Sequence, residues 1–305
     1  MTQPAKAQPL KALVTGDFGR EYLVMLPDRT ECVASRKGKK QDVTCGDEVI
    51  ISMTGPKVAR IDEVLSRRNV LFRQDVWREK TLAANIDHAV IICAPSPPFS
   101  PTFLNLCLLA CEAANIAVTI MLNKKDLPEF EAAHAGLRHL EKIGYNVLPI
   151  SAKFDISPLR PLLDGKKTLF VGESGMGKSR TVNNLVMRDV AKEGEISVAL
   201  NSGKHTTTFT RLYWLDKDTA IIDSPGMQSF GMFHLEDDDI AYAMPEFRPY
   251  FGECKFNDCA HMDEPGCAVI AATELGKIEA QRLTFYQALI EQQRELRQSH
   301  PEWKR

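Results

Sequence analysis

Two short stretches of the chain carry residue types suited to holding a nucleotide. Gly172-Glu173-Ser174-Gly175-Met176-Gly177-Lys178-Ser179 fits the phosphate-loop pattern G-x-x-x-x-G-K-[ST]. Its glycines let backbone N–H groups turn towards phosphate oxygens, and a helix beginning there adds the positive end of its dipole. Lys178 is then expected to reach the β- and γ-phosphates, and the Ser179 hydroxyl to bind Mg²⁺. Asn123-Lys124-Lys125-Asp126 has the form of a guanine-reading signature. Asp126 can accept from the guanine N1–H and exocyclic amine, a donor pair that adenine does not present. Asn123 can tie the N7 edge to the loop, and the Lys124 stem can cover the ring face. The order is unusual, because Gly172 lies 46 positions after Asp126.

Three further stretches fit the same chemistry. Ser151-Ala152-Lys153 offers a backbone N–H for the guanine O6. Asp223-Ser224-Pro225-Gly226 supplies a carboxylate suited to a water-mediated Mg²⁺ contact and a Gly226 N–H suited to the γ-phosphate. Within Lys204-His205-Thr206-Thr207-Thr208, Thr207 is the candidate to complete Mg²⁺ coordination, as part of a switch that orders with GTP and loosens with GDP. Met227 stands where many GTPases carry a glutamine that orients the attacking water, so hydrolysis is expected to be slow without a partner. His205 is the candidate for positioning that water; an ordinary surface histidine is the plainer reading. A different chemistry is signalled by Cys254-x4-Cys259-x-His261-x5-Cys267. Three thiolates and an imidazole at this spacing match a closed, structural tetrahedral zinc site.

These residues need a sheet edge to bring them together. HAVIICAP (88–95), VTIMLNK (118–124), NVLPIS (146–151) and KTLFVG (167–172) read as strands, with helices between them over 104–115, 134–144 and 178–187. RLYWL (211–215) and TAIIDS (219–224) read as a hairpin. Alternating strands and helices imply a mainly parallel sheet that presents ligand contacts at its carboxyl edge. Upstream, residues 8–73 read as short strands of a small β-barrel, with a basic RKGKK loop. Downstream, an acidic run (236–239) leads into the Cys/His cluster and a helical stretch over 273–298.

The 305 residues are 44% hydrophobic and 26% charged, as in an ordinary globular protein of two or three domains. No apolar run approaches the roughly 20 residues of a membrane span, and the N-terminal residues lack a secretory signal, so no membrane association and a cytoplasmic location are expected. The net charge of −2 is unevenly spread: +4 over residues 1–73 and −6 over 236–305. Eight cysteines in such a chain argue against a disulfide framework; Cys93, Cys107 and Cys111 sit among apolar neighbours as small core residues.

The motif order, guanine signature, Ser-Ala-Lys, phosphate loop, threonine run, Asp-x-Pro-Gly, is a circular permutation of the usual GTPase order. Together with the HTTT and DSPG sequences, the N-terminal barrel and the Cys-Cys-His-Cys element, it resembles the ribosome small-subunit-dependent GTPase A (RsgA) family over roughly residues 8–290. The phosphate loop departs from that family at Met176, usually valine, and at Arg180-Thr181, where Ser-Leu is common. The resemblance implies an α/β fold: a circularly permuted P-loop GTPase domain (81–235) between an oligonucleotide/oligosaccharide-binding (OB) barrel that binds RNA (1–80) and a zinc-binding helical domain (236–305). It further implies GTP hydrolysis stimulated by the small ribosomal subunit, contact with that subunit's rRNA, and a role in its late maturation. A monomer is expected. A nucleotide-gated RNA- or protein-binding module acting elsewhere is the competing reading.

Overall fold

The computed structural model describes residues 9–36, 42–75, 78–193, 209–224 and 230–299. The strands are β1 (Leu10–Asp17), β2 (Glu21–Met25), β3 (Glu31–Arg36), β4 (Glu48–Gly55), β5 (Val58–Val64), β6 (Val70–Asp75), β7 (Arg78–Ala84), β8 (His88–Cys93), β9 (Ala117–Leu122), β10 (Asn146–Pro149), β11 (Lys167–Val171), β12 (Thr210–Trp214) and β13 (Ala220–Asp223). The helices are α1 (Pro101–Ala113), α2 (Phe130–Lys142), α3 (Arg160–Leu163), α4 (Lys178–Glu193), α5 (Asp237–Tyr242), α6 (Ala268–Glu274) and α7 (Ala280–Ser299).

The first five strands close on themselves in the order β1-β2-β3-β5-β4, with β4 returning to β1 and β3 running parallel to β5. Alternation in these strands sends Val14, Tyr22, Val24, Ile51 and Ile61 inward to a core of their own. The barrel mouth is locked by Arg67, whose guanidinium grips the buried Asp47 carboxylate at 2.7 and 2.8 Å. Gly46 has φ +92, and a Cβ there would lie 2.1 Å from the Ala84 carbonyl oxygen, so barrel and β7 meet backbone to backbone.

The second half of the sheet has the order β10-β9-β8-β11-β13-β12, parallel except for β12. Its central strands are mostly apolar because both faces of the sheet are covered, and β8 is buried along its whole length, His88 included. Ser100 caps α1 by accepting from the Phe103 N–H at 3.2 Å, with Pro101 at the first helical position. The expected 211–224 hairpin is β12–β13.

Two features differ from the sequence expectation. The β6–β7 hairpin, over Val70–Ala84, was hidden because its strands are broken by charged residues and carry no clear alternation. The helical stretch over 273–298 is two helices, α6 and α7, since Gly276 takes a left-handed conformation (φ +69) and ends α6. Barrel and parallel sheet form one continuous sheet through Gly16↔Arg211 and Asp17↔Thr210 of β1 and β12.

Candidate functional site

Four of the sequence motifs follow the carboxyl ends of adjacent parallel strands. The Ser151 loop follows β10, the Asn123 loop β9, the Gly172 loop β11, and Asp223 closes β13. Between them the turn Ser96–Ser100 follows β8, with a cis peptide bond at Ser96–Pro97.

Asn123 joins three of these loops. Its buried side chain donates from Nδ2 to the Met176 carbonyl at 2.8 Å and accepts at Oδ1 from the Ala152 N–H at 2.9 Å. Both ends of the amide are therefore held by protein, which fixes the loop contact anticipated from the sequence. Gly177 (φ +95) explains part of the phosphate-loop pattern, because a Cβ there would lie 2.3 Å from Asn123 Nδ2. Gly172 is similarly pressed, with a Cβ position 2.8 Å from the Ile92 carbonyl oxygen. Asn184 on α4 donates to the Ala152 carbonyl at 2.7 Å, fastening the same loop from the other side.

The remaining signature residues face outward. Lys124 takes a left-handed backbone (φ 62), and its ammonium donates to the carbonyls of Ser96 at 2.5 Å and Gly175 at 2.8 Å. The Lys125 N–H donates to the Ile150 carbonyl at 3.0 Å, pinning the loop to the end of β10. Asp126 is exposed and accepts from the Ser151 hydroxyl at 2.5 Å. That hydrogen bond, the largest cause, holds its carboxyl below the usual carboxylate range, with Lys153 and Lys124 adding smaller attractions. The Lys153 ammonium lies 4.7 Å from the centre of the exposed Phe154 ring.

On the phosphate side, Lys178 is buried and its ammonium contacts an Asp223 carboxylate oxygen and, at 2.5 Å, the Ser224 carbonyl. Glu173 accepts from the Ser100 N–H at 2.7 Å, and Met176 is buried in the core beneath the loop. Ser174, Gly175 and Ser179 are exposed. His205, Thr207 and Gly226 lie outside the described residues, as does Met227. The sequence reading passed over two parts of this site, the Ser96–Ser100 turn and Asn184. Their only signal was a Pro- and Ser-rich turn directly after a buried strand, and a polar residue on the inner face of the helix after the phosphate loop.

A second site forms against α7. The ligand atoms of Cys254, Cys259, His261 and Cys267 lie within 4.8 Å of one another. His261 Nδ1 is 3.7 Å from the sulfurs of Cys254 and Cys259 and 3.3 Å from that of Cys267. A tetrahedral ion with metal–sulfur and metal–nitrogen bonds of about 2.3 and 2.1 Å requires sulfur–nitrogen edges of about 3.6 Å. The four residues therefore fit a metal ion. Outer contacts set the loop: His261 has φ +58, Tyr286 donates to the Ala260 carbonyl at 2.9 Å, and Gln287 donates to the Met262 carbonyl at 2.6 Å.

Comparison with known proteins adds to this geometry. The family model for RsgA GTPase matches residues 64–233. Proteins named small ribosomal subunit biogenesis GTPase RsgA are similar along most of the chain. That of Nitrosospira multiformis is 43% identical over 283 residues, 92% of this chain and 90% of its own. That of Neisseria meningitidis is 43% identical over 281 residues, 92% of each. Among solved structures, YjeQ from Thermotoga maritima superposes with a TM-score of 0.70 at 25% identity, covering 94% of this chain and 99% of its own. YloQ, described as a circularly permuted GTPase, superposes with a TM-score of 0.69 at 22% identity, covering 97% of this chain and 98% of its own.

Proposed function

Because the chain belongs to the RsgA GTPase family, we propose that it hydrolyses GTP to GDP and phosphate on the small ribosomal subunit, in contact with its rRNA, late in that subunit's maturation. The observation that carries the nucleotide part is the junction at Asn123, which holds the phosphate loop to the base-reading loops on one sheet edge. In this reading Asp126 accepts from guanine, Lys124 covers the ring, and the Ser151–Lys153 loop meets O6. The backbone from Gly172 to Gly177 cradles phosphates. Lys178 exchanges Asp223 and the Ser224 carbonyl for phosphate oxygens, turning Asp223 towards the water shell of Mg²⁺. Ser179 and Thr207 hold that ion, which neutralises charge on the β- and γ-phosphates. The Gly226 N–H meets the γ-phosphate, and His205 positions water. The barrel, with +4 over residues 1–73, is the surface for rRNA. The Cys₃His cluster holds one structural Zn²⁺, in keeping with its soft donor set. No described helix is long and apolar enough to cross a membrane; a monomer in the cytoplasm completes the proposal.

The test is the GTPase rate of the purified chain alone, with small subunits, with large subunits and with tRNA. Stimulation by small subunits alone is expected. Stimulation by tRNA only, or by none of them, would overturn the assignment.

A further inference from the structure

The metal-site loop and α5 enclose a surface cavity of about 320 Å³, far larger than an ion requires. Its walls include Tyr242, Phe251 and Phe256, and Asp238 stands at its edge. Tyr242 and Phe251 are stacked, with ring centres 6.1 Å apart and planes at 25°. Tyr242 is 62% exposed and Phe256 41%, large values for aromatic rings beside a well-packed core. Asp238 precedes Tyr242 by one helical turn, so the two share a face of α5. Its neighbour Asp237 is held by Arg294 and Arg297, whereas Asp238 forms no ion pair among the described residues.

Exposed aromatic rings suit either a nucleobase or a cation, and charge decides between them here. Among the described residues no lysine or arginine lines the cavity. Arg248 sits 4.9 Å over the Tyr242 ring and is also held by Glu112 at 2.8 Å and the Tyr242 carbonyl at 2.8 Å. Lys255 lies over Phe256 at 5.3 Å, outside the lining. Residues 236–305 carry a net −6. A divalent ion held by three thiolates and a neutral imidazole would add about −1 beside the cavity. This field repels a phosphate backbone and attracts a cation.

We propose that this cavity is a docking site for an arginine side chain on a basic protein segment, the guanidinium lying against the Tyr242 and Phe256 rings and pairing with Asp238. A planar guanidinium stacks on aromatic faces and is less strongly hydrated than an ammonium, which favours arginine over lysine. The site needs the metal loop in place but does not need GTP.

The experiment uses the full zinc-loaded chain and a fluorescein-labelled octapeptide of alternating arginine and glycine, with binding read by fluorescence anisotropy. A labelled single-stranded RNA is titrated in parallel. Loss of one cation–π contact is expected to weaken peptide binding about fivefold in Tyr242→Ala. Asp238→Asn is expected to weaken it similarly, while RNA binding stays within about twofold in both. Tyr242→Leu keeps the bulk without the π face and should behave as the alanine variant does. Zinc content and the thermal midpoint establish that each variant is folded. Failure of the unsubstituted chain to bind the peptide overturns the proposal, as do variants that bind it as the unsubstituted chain does. Weakened RNA binding in Tyr242→Ala with peptide binding intact overturns it in favour of base stacking. GTP hydrolysis by the same samples separates this outcome from failure of the GTPase assignment.

Discussion

Asp126 and Asn123 are neighbours in one signature, yet their surroundings assign them different work. Asp126 is exposed and its carboxylate accepts from the Ser151 hydroxyl, so its expected effect is on which base is bound. Asp126→Asn should lower GTP affinity by an order of magnitude or more and raise affinity for xanthosine triphosphate, measured by equilibrium titration with both nucleotides. Unchanged preference would mean that the loop does not read the base. The hydrogen bond from Ser151 holds the Asp126 carboxyl below its ordinary range, so its charge persists until the pH falls through that depressed value. Guanine binding should accordingly show no titration from this group between pH 8 and pH 5. Asn123 is buried and holds two loops at once. Asn123→Ala leaves the Met176 carbonyl and the Ala152 N–H without their partner, at about 1–3 kcal/mol for each group left unsatisfied. Its signature is a fall in thermal midpoint and in affinity for GTP and xanthosine triphosphate alike, which separates it from Asp126→Asn.

At the level of elements, periodicity exposed most of what positions the site. The strands β9, β10 and β11 are largely apolar runs followed by motif residues, and the helices between them have capping or turn residues at their limits. The β6–β7 hairpin was not legible, since charged residues break its strands and its outer contacts are distant in sequence. Arg73 bridges Phe230, and the Gly231 N–H donates to the Phe72 carbonyl at 3.0 Å, contacts between residues over 150 positions apart that no local pattern encodes. The loop-joining role of Asn123 was equally invisible, because the signature names the residue but only packing fixes where its amide points. One element carries a cost that the sequence concealed. His88 opens β8 buried, its Nε2 3.0 Å from the Thr119 hydroxyl of β9, and burial pushes its pKa down to about 4. The unfolded chain takes up a proton near pH 6.5 and the folded one refuses it until about pH 4. His88 therefore costs nothing above that window and withdraws about 3 kcal/mol as the pH falls through it. Urea midpoints between pH 7 and pH 4.5 should decline less steeply in His88→Asn. Parallel curves for the two proteins would rule this out.

Over the whole molecule, the three regions lean on shared struts more than on linkers. Arg282 of α7, almost fully buried, pairs with Glu246 at 2.5 Å and donates to Asn105 of α1 at 2.8 Å, tying the region of the Cys/His cluster to the nucleotide sheet. At the other end, Arg29 lies 4.4 Å over the Trp214 ring and donates to the Lys217 carbonyl at 2.5 Å, while Phe18 meets Phe209 at 5.2 Å. These contacts flank the junction of β1 with β12. An unprotected strand border recruits other chains, and β1 covers that border of β12 over Gly16 and Asp17. A chain truncated before residue 64 should therefore self-associate more strongly than the full chain, as read by light scattering across a concentration series. A monodisperse truncated chain would show that the seam has no such role. The barrel is thus expected to have a duty unrelated to any ligand: shielding part of the border of the nucleotide-binding half from other chains.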